Sequence, residues 1–349
     1  MSENVQGRFK GLPALRGKIS FIDLMQSIGL AAVILFGCAI MTFMSPVFAT
    51  VRNIENVLQT ATIIAVVAIG QTFVILVAGI DLSVASVLVL SSVLSVGLVD
   101  FYGWTPGLAI VAALAAGMGI GLINGLAVTK LKIPALIATL ATMTIGRGLA
   151  YIFSGGTNIA PVPHLFVALQ AGRIFGIPAV IVLTIVLAVI AQIILSRTRF
   201  GRSVYATGGN PLAARLAGIN TERVIIATFV ISGLMSAVAG LLITARFEAG
   251  AATAAQGMEL AVIAAVVIGG VSLFGGEGNI GGMLLGVILL GLVQNTVNLL
   301  NVPPNWDSVV SGLVIAAAAA LDVYRRNYLE AGMRKRIIAT KAGKPAKPS

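Results

Sequence analysis

Cysteine and histidine are almost absent from this chain: Cys38 and His164 are the only ones in 349 residues. A disulfide framework is therefore excluded, and so is a Cys/His metal cluster. Charge is scarce as well, with Asp, Glu, Lys and Arg together making up 10% of the sequence. No phosphate-binding Gly-x-x-x-x-Gly-Lys-Ser/Thr loop occurs, because Gly17-Lys18 lacks both the upstream glycine and the following hydroxyl. There is no His-Glu-x-x-His pair either, and no constellation of nucleophile and base. The sequence thus assigns no catalytic residue, no metal and no cofactor, and any ATP used must be bound by another chain. A formal charge of +11 invites a nucleic-acid reading. The basic residues cluster at the ends of apolar segments, however, and the aromatic interleaving of a nucleic-acid surface is missing.

What is present is hydrocarbon. Hydrophobic residues make up 58% of the chain, and the mean hydropathy is +1.02. Such a composition belongs to a polytopic membrane protein. The apolar runs are continuous rather than alternating, which excludes a β-barrel. The expected class is all-α, with about ten transmembrane helices near 28–48, 57–80, 83–100, 107–128, 134–154, 177–195, 224–245, 258–274, 280–299 and 307–324. The first run is too long for a signal peptide and reads as an uncleaved span. Of the 23 basic residues, only Arg52, Arg147, Arg173 and Arg246 lie outside the cytoplasmic segments when both termini are placed in the cytoplasm. Phe101, Tyr102, Trp104 and Trp306 suit an interfacial belt. The expected organisation is a cytoplasmic tail at 1–19, a permease domain at 20–328 and a basic cytoplasmic tail at 329–349.

The segment 197–223 interrupts the hydrocarbon. It carries Arg197, Arg199, Arg202, Arg215 and Arg223 against one acid, Glu222, so it belongs in water or against a protein partner. Gly208-Gly209 is expected to turn the chain sharply. Asn210 and Pro211 then open a helix, and Gly218 stops it. The prediction is a short cytoplasmic helix at 211–217. The external loop 155–176 contains an amphipathic stretch at 165–169, suited to an interfacial helix or a docking surface, or to a plain connector.

Polar groups at membrane depth are few. Asp81 and Ser83, next to Gly79, either cap the following helix or place a carboxylate in a central cavity. Asn124 lies in the fourth span, and Thr139, Thr142, Thr144 and Arg147 in the fifth. Arg147 must find a carboxylate, carbonyls or water. Glu259 follows Gln256 at the start of the eighth span, where it suits the helix dipole or contacts a substrate. Gln294, Asn295 and Asn298 form a possible stripe on the ninth. Asp81, Ser83, Asn124, Glu259 and Asn295 are the candidate substrate-pathway residues. Gly117, Gly121 and Gly125, and likewise Gly282 and Gly286, read as packing faces. A faint internal echo relates residues 121–125, ahead of Pro134, to residues 291–295, ahead of Pro303. The segments ending at Gly79 and Gly270 are also alike.

Several stretches resemble the permease subunits of bacterial ABC importers for ribose, arabinose, xylose, galactose and similar sugars. They are residues 79–86 (GIDLSVAS), 121–125 (GLING), 137–149 (IATLATMTIGRGL), 198–218 (TRFGRSVYATGGNPLAARLAG), 263–276 (IAAVVIGGVSLFGG) and 299–302 (LLNV), spread over nearly the whole chain. The resemblance implies an inner-membrane permease that pairs with a second permease copy, a cytoplasmic ABC ATPase and a periplasmic sugar-binding protein. It implies a coupling helix seated on the ATPase, with Phe200, Gly201, Gly208, Gly209, Asn210, Ala213, Ala214, Arg215 and Gly218 as the coupling residues. Three positions depart from the family pattern. Met258-Glu259-Leu260-Ala261 replaces Tyr-Glu-Leu-Asp, Ala85 replaces a glycine, and Pro211 follows Asn210 where an acid is usual. These departures bear on the sugar more than on the class.

The expected function is translocation of a monosaccharide or related polyol into the cytoplasm, driven by ATP hydrolysis on a separate subunit. Two alternatives stand beside it. A branched-chain amino acid permease would call for charged groups along its pathway, and few are seen. A self-sufficient ion-coupled carrier would need an intramembrane ion site, for which Asp81 is the sole candidate.

Overall fold

The computed structural model describes residues 13–300, with side chains from Ile28 onward, and the isolated positions Val309, Gly312 and Leu313. Residues 1–12, Trp306, most of the tenth expected span and the basic tail lie outside the described residues. The described chain is almost wholly helical, as an all-α membrane protein must be when backbone groups have no water to bond. The long helices are α1 (Pro13–Met44), α2 (Val51–Leu76), α4 (Pro106–Thr129), α5 (Ala135–Ser154), α7 (Ala179–Arg197), α10 (Thr221–Phe247) and α12 (Ile280–Leu299). Among them α2, α4, α5, α7, α10 and α12 are long and apolar enough to cross a membrane. Helices α3 (Val84–Asp100) and α11 (Met258–Ile268), and the 28–44 portion of α1, are shorter apolar pieces. Helix α1 begins inside the stretch expected to be tail.

Helix α10 is the axis of the packing, lying against α4, α2 and α3. Glycine makes the closest contact possible. On α4, a Cβ at Gly121 would overlap the carbonyl of Phe229, one at Gly117 would lie 2.6 Å from the Gly233 oxygen, and one at Gly125 would lie 2.8 Å from the Ile226 Cα. With no hydrophobic drive between helices in lipid, dispersion at this distance is what holds the pair. Gly282 and Gly286 do the same for α12 against Gly269 and Ala265 of α11 and its end. The glycine faces read from the sequence are therefore packing faces. The outward sides of α4 and α5 expose Leu122, Ile123, Ile137, Ile145 and Ile152, a surface suited to hydrocarbon.

Two helix pairs are joined by irregular chain rather than by a surface loop. Helix α2 stops at Leu76, where Ala78 takes a left-handed φ of 61° and the Gly79 N–H bonds the Val74 carbonyl. Residues 77–83 then cross the bundle before α3 begins. Helix α11 stops at Ile268, short of the expected 274. Gly269 abuts Gly282 of α12, and Gly270, Gly275, Gly276 and Gly278 all hold positive φ in the connection that follows. The amphipathic stretch at 165–169 is a helix, α6 (His164–Ala171), anchored by buried Phe166. A two-residue ribbon follows it, β1 (Arg173–Ile174) antiparallel to β2 (Ile177–Pro178).

The arginine-rich segment forms two helices, not one. Helix α8 (Arg199–Gly209) starts on Thr198, whose hydroxyl accepts the Gly201 N–H, and α9 (Pro211–Leu216) starts on Asn210, whose side chain accepts the Ala213 N–H at 2.9 Å. Gly218, at φ +83°, ends the second as expected. Gly208-Gly209 does not turn the chain but closes α8. A Cβ on Gly208 would overlap the Leu76 carbonyl oxygen and lie 2.7 Å from the Gly276 nitrogen. Its glycine is needed for close approach, a reason that no local sequence pattern distinguishes from a turn.

Candidate functional site

Three polar constructions stand out. The first surrounds the break between α2 and α3. Asp81 is buried, and its Oδ1 accepts the Ser83 N–H (3.0 Å) and the Ser83 hydroxyl (2.6 Å) while its Oδ2 accepts the Ser232 hydroxyl (2.8 Å). Asn124 donates to the Ser83 oxygen (2.9 Å) and accepts from Thr142 (2.7 Å), and Thr139 donates to the Ile80 carbonyl (3.2 Å). Oriented so that both its ends are satisfied, the buried Gln71 amide donates to the Asp81 carbonyl (3.1 Å) and accepts from the Asp81 N–H (3.2 Å). Side chains from α2, α4, α5 and α10 thus converge on one turn of irregular backbone and satisfy its exposed groups, as burial demands. Asp81, Ser83 and Asn124, picked out separately in the sequence, belong to one network. Gln71 and Ser232 were missed. Ser232 is 151 residues from Asp81, and a serine inside an apolar helix carries no local signal.

The second construction is at the α6 end of the bundle. Arg246, at the end of α10, donates to Asn56 (2.8 Å), Thr60 (2.8 Å) and Gln59 (3.3 Å) on α2, and Gln170 of α6 joins the same Gln59 oxygen (2.9 Å). Arg147 reaches the carbonyls of Ala254 and Ala255, each at 3.4 Å. Arg173 pairs with both oxygens of Glu55 at 2.8 Å; that hydrogen-bonded carboxylate holds the guanidinium pKa above its ordinary value. An antiparallel bridge between Ile159 and Gly250 adds a main-chain tie. Three of the four arginines that the charge pattern had left over are thus braces between elements. Beside Arg246 opens a half-open cleft of about 480 Å³, lined by α2, α10, α11 and α12. Gln256 and Gln294 line it; Glu259 and Asn295 do not. Glu259 sits in the first turn of α11 with its buried Oε2 unpartnered among the described residues. Asn295 is buried in a reciprocal amide pair with Asn53, at 2.8 and 3.1 Å. Asn298 is exposed, so the expected stripe on α12 splits three ways.

The third construction is at the opposite end. Phe200 stacks on Phe73 with centroids 6.3 Å apart, which seats α8 on α2. Gly201 is backed against the Ile194 and Leu195 carbonyls, and the Tyr205 hydroxyl donates to the Gly278 carbonyl (2.7 Å). Gly208 and Gly209 press on Gly275 and Gly276, while the Gly276 N–H bonds the Leu76 carbonyl (2.9 Å). On α9, Ala214 is buried and Arg215 donates Nε to the Thr221 hydroxyl (2.8 Å), which fixes the helix to the start of α10. Ala213 supplies the N–H that Asn210 caps. Leu212 and Leu216, one turn apart, are 69% and 83% exposed, two apolar side chains on a segment otherwise rich in charge. Lys130 and Lys132 bracket Glu222 nearby, at 2.6 and 3.2 Å.

A bundle of apolar helices with a buried polar junction and a capped helix pair projecting at one end is the build of a transport permease. The chain belongs to the family described as branched-chain amino acid transport system / permease component, whose profile matches residues 53–319. It is 39% identical over 290 residues to the ribose import permease protein RbsC of Haemophilus influenzae, covering 82% of this chain and 90% of that protein. It is 41% identical over 307 residues to the RbsC of Bacillus subtilis, covering 87% and 95%. The L-arabinose transport system permease protein AraH of Escherichia coli is 40% identical over 319 residues, covering 90% and 96%.

Proposed function

We propose that the chain is the membrane permease subunit of an ABC importer that carries a monosaccharide or related polyol inward across the bacterial inner membrane. The permease names ribose and arabinose belong to relatives that align over most of both chains. ATP is hydrolysed on a separate cytoplasmic subunit, sugar is delivered by a periplasmic binding protein, and the permease works as a pair, either of identical copies or of paralogues. Ten spans with both termini inside give residues 20–328 as the permease domain and 1–19 and 329–349 as tails. This puts α8 and α9 in the cytoplasm and α6 outside.

The observation that carries the mechanism is the α8–α9 unit. Its exposed Leu212 and Leu216 offer an apolar knob to the ATPase, while Arg215, Ala214 and the capped Asn210 hold α9 in place. Phe200, Gly201, Gly208 and Gly209 join it to α2, α7 and the α11–α12 connection, and Gly218 ends α9 ahead of α10. Closure of the ATPase pair on ATP shifts this unit, and the backbone contacts at Gly208 pass the displacement to the breaks after α2 and α11. Asp81, Ser83 and Asn124 hold the first break in shape, while Glu259 and Asn295 stand nearer the outer end of the pathway. Transport against a gradient requires each access state to differ in its affinity for ATP and for sugar.

The test is reconstitution in proteoliposomes with the ATPase and the binding protein. ATP-dependent sugar uptake that collapses in Leu216→Asp, with the permease still folded, is the expected result. Uptake driven by an ion gradient with no ATPase present would place the chain among secondary carriers instead, and uptake of leucine but of no sugar would favour the amino acid branch.

A further inference from the structure

We infer that the cleft beside Arg246 is a sugar-binding station at the outer mouth of the permease, built to take the hydroxyls of a neutral polyhydroxylated ring. The inference rests on the sugar-importer reading and assigns it a place and a chemistry. The cleft measures about 480 Å³, within the range of small-molecule sites. Its polar lining is the Arg246 guanidinium, the Thr60 hydroxyl and the carboxamides of Gln256 and Gln294. Arg246 is aligned before any ligand arrives, because Asn56, Gln59 and Thr60 hold two of its nitrogens. Neither glutamine amide has a hydrogen-bond partner among the described residues, so each offers a donor pair and an acceptor to an incoming molecule. Phe247 and Met258 supply the apolar wall against which the C–H face of a sugar packs.

Charge decides the ligand class. Among the described lining residues none is a carboxylate that could serve as counter-ion to an amino acid's ammonium group. A fixed guanidinium and two amides in one cleft instead match vicinal hydroxyls, which accept from the first and exchange bonds with the others. The cleft sits where α2, α10, α11, α12 and the loop before α11 meet.

The experiment uses the assembled importer in proteoliposomes with tritiated D-ribose, L-arabinose and D-xylose. Gln294→Leu keeps the side-chain volume and removes only the amide; Ala261→Trp fills the cleft. Losing the amide at one hydroxyl costs about 1.4–2.8 kcal/mol, or roughly ten- to hundredfold. Uptake should fall about tenfold or more in each variant, while ATP hydrolysis stimulated by the loaded binding protein stays within about twofold of wild type. Wild-type uptake with an unchanged rate in Gln294→Leu would overturn the station and leave a lipid-filled crevice. Joint loss of uptake and stimulated hydrolysis in Gln294→Leu would make the residue a structural one and also overturn it. No uptake of any of these sugars by the wild-type importer would instead sink the sugar reading beneath it.

Discussion

Replacing Asp81 separates two roles that a buried carboxylate can have, holding a backbone turn and meeting a substrate. Asp81→Ala deletes the acceptor of three donors, the Ser83 N–H, the Ser83 hydroxyl and the Ser232 hydroxyl. All three lie in the interior, where an unmet donor costs about 1–3 kcal/mol by soluble-protein figures and nearer 0.6 kcal/mol by averages from a membrane protein. The two hydroxyls can rotate to other acceptors; the backbone N–H cannot. The net loss is therefore about 1–3 kcal/mol, that of the one donor left unmet. Asp81→Asn retains one oxygen for both Ser83 bonds and turns an NH2 toward Ser232, whose hydroxyl can accept, so all three contacts survive and the cost stays below about 1.5 kcal/mol. Thermal unfolding in detergent, followed by the monodisperse fraction, should place Asp81→Ala below wild type, by roughly 2–5 °C, and Asp81→Asn close to it. An alanine variant as stable as wild type, or an asparagine variant as damaged as alanine, would refute the idea that Asp81 holds this turn. An asparagine variant that folds normally but imports nothing would show that the charge itself serves transport.

Other consequences are equally direct. Gly121→Leu should abolish folded permease, because its side chain has to occupy the space of the Phe229 carbonyl; normal yield would mean that α4 and α10 do not pack as described. Gly208→Val should cut uptake and sugar-stimulated ATP hydrolysis together, with an overpacking cost of about 1–3 kcal/mol, read as a loss of coupling in proteoliposomes. Asn295→Leu should destabilise the fold by about 1–3 kcal/mol through the amide left unpaired on Asn53, and the double change Asn53→Leu with Asn295→Leu should recover part of it in a thermal scan. Arg173→Ala should leave the thermal midpoint close to wild type, because its pair with Glu55 is exposed to solvent.

Much of the architecture could be read from local pattern. The cap at Asn210-Pro211, the stop at Gly218 and the glycine faces of α4 and α12 each depend on residues within one or two helical turns, so the sequence displays them whole. What escaped depends on distant partners. Gly208-Gly209 looked like a turn because glycine permits one; only the Leu76 carbonyl, on another helix, makes them the end of α8. Arg246 read as a stray external charge until Asn56, Gln59 and Thr60 came alongside. Asn53 was invisible for the same reason: its partner lies 242 residues further on. Asp81 stood out because a carboxylate between apolar runs is costly wherever it goes, yet its distant donor, Ser232, could not be named from the chain alone.

The meeting of Gly208, Leu76 and Gly276 has one more implication. Side chains are soft, since a rotamer can flip and absorb a shove. This joint is made of main chain on all three strands, with no methyl group to act as a cushion. A displacement of α8 would therefore meet the end of α2 and the connection after α11 with no rotamer between them to absorb it.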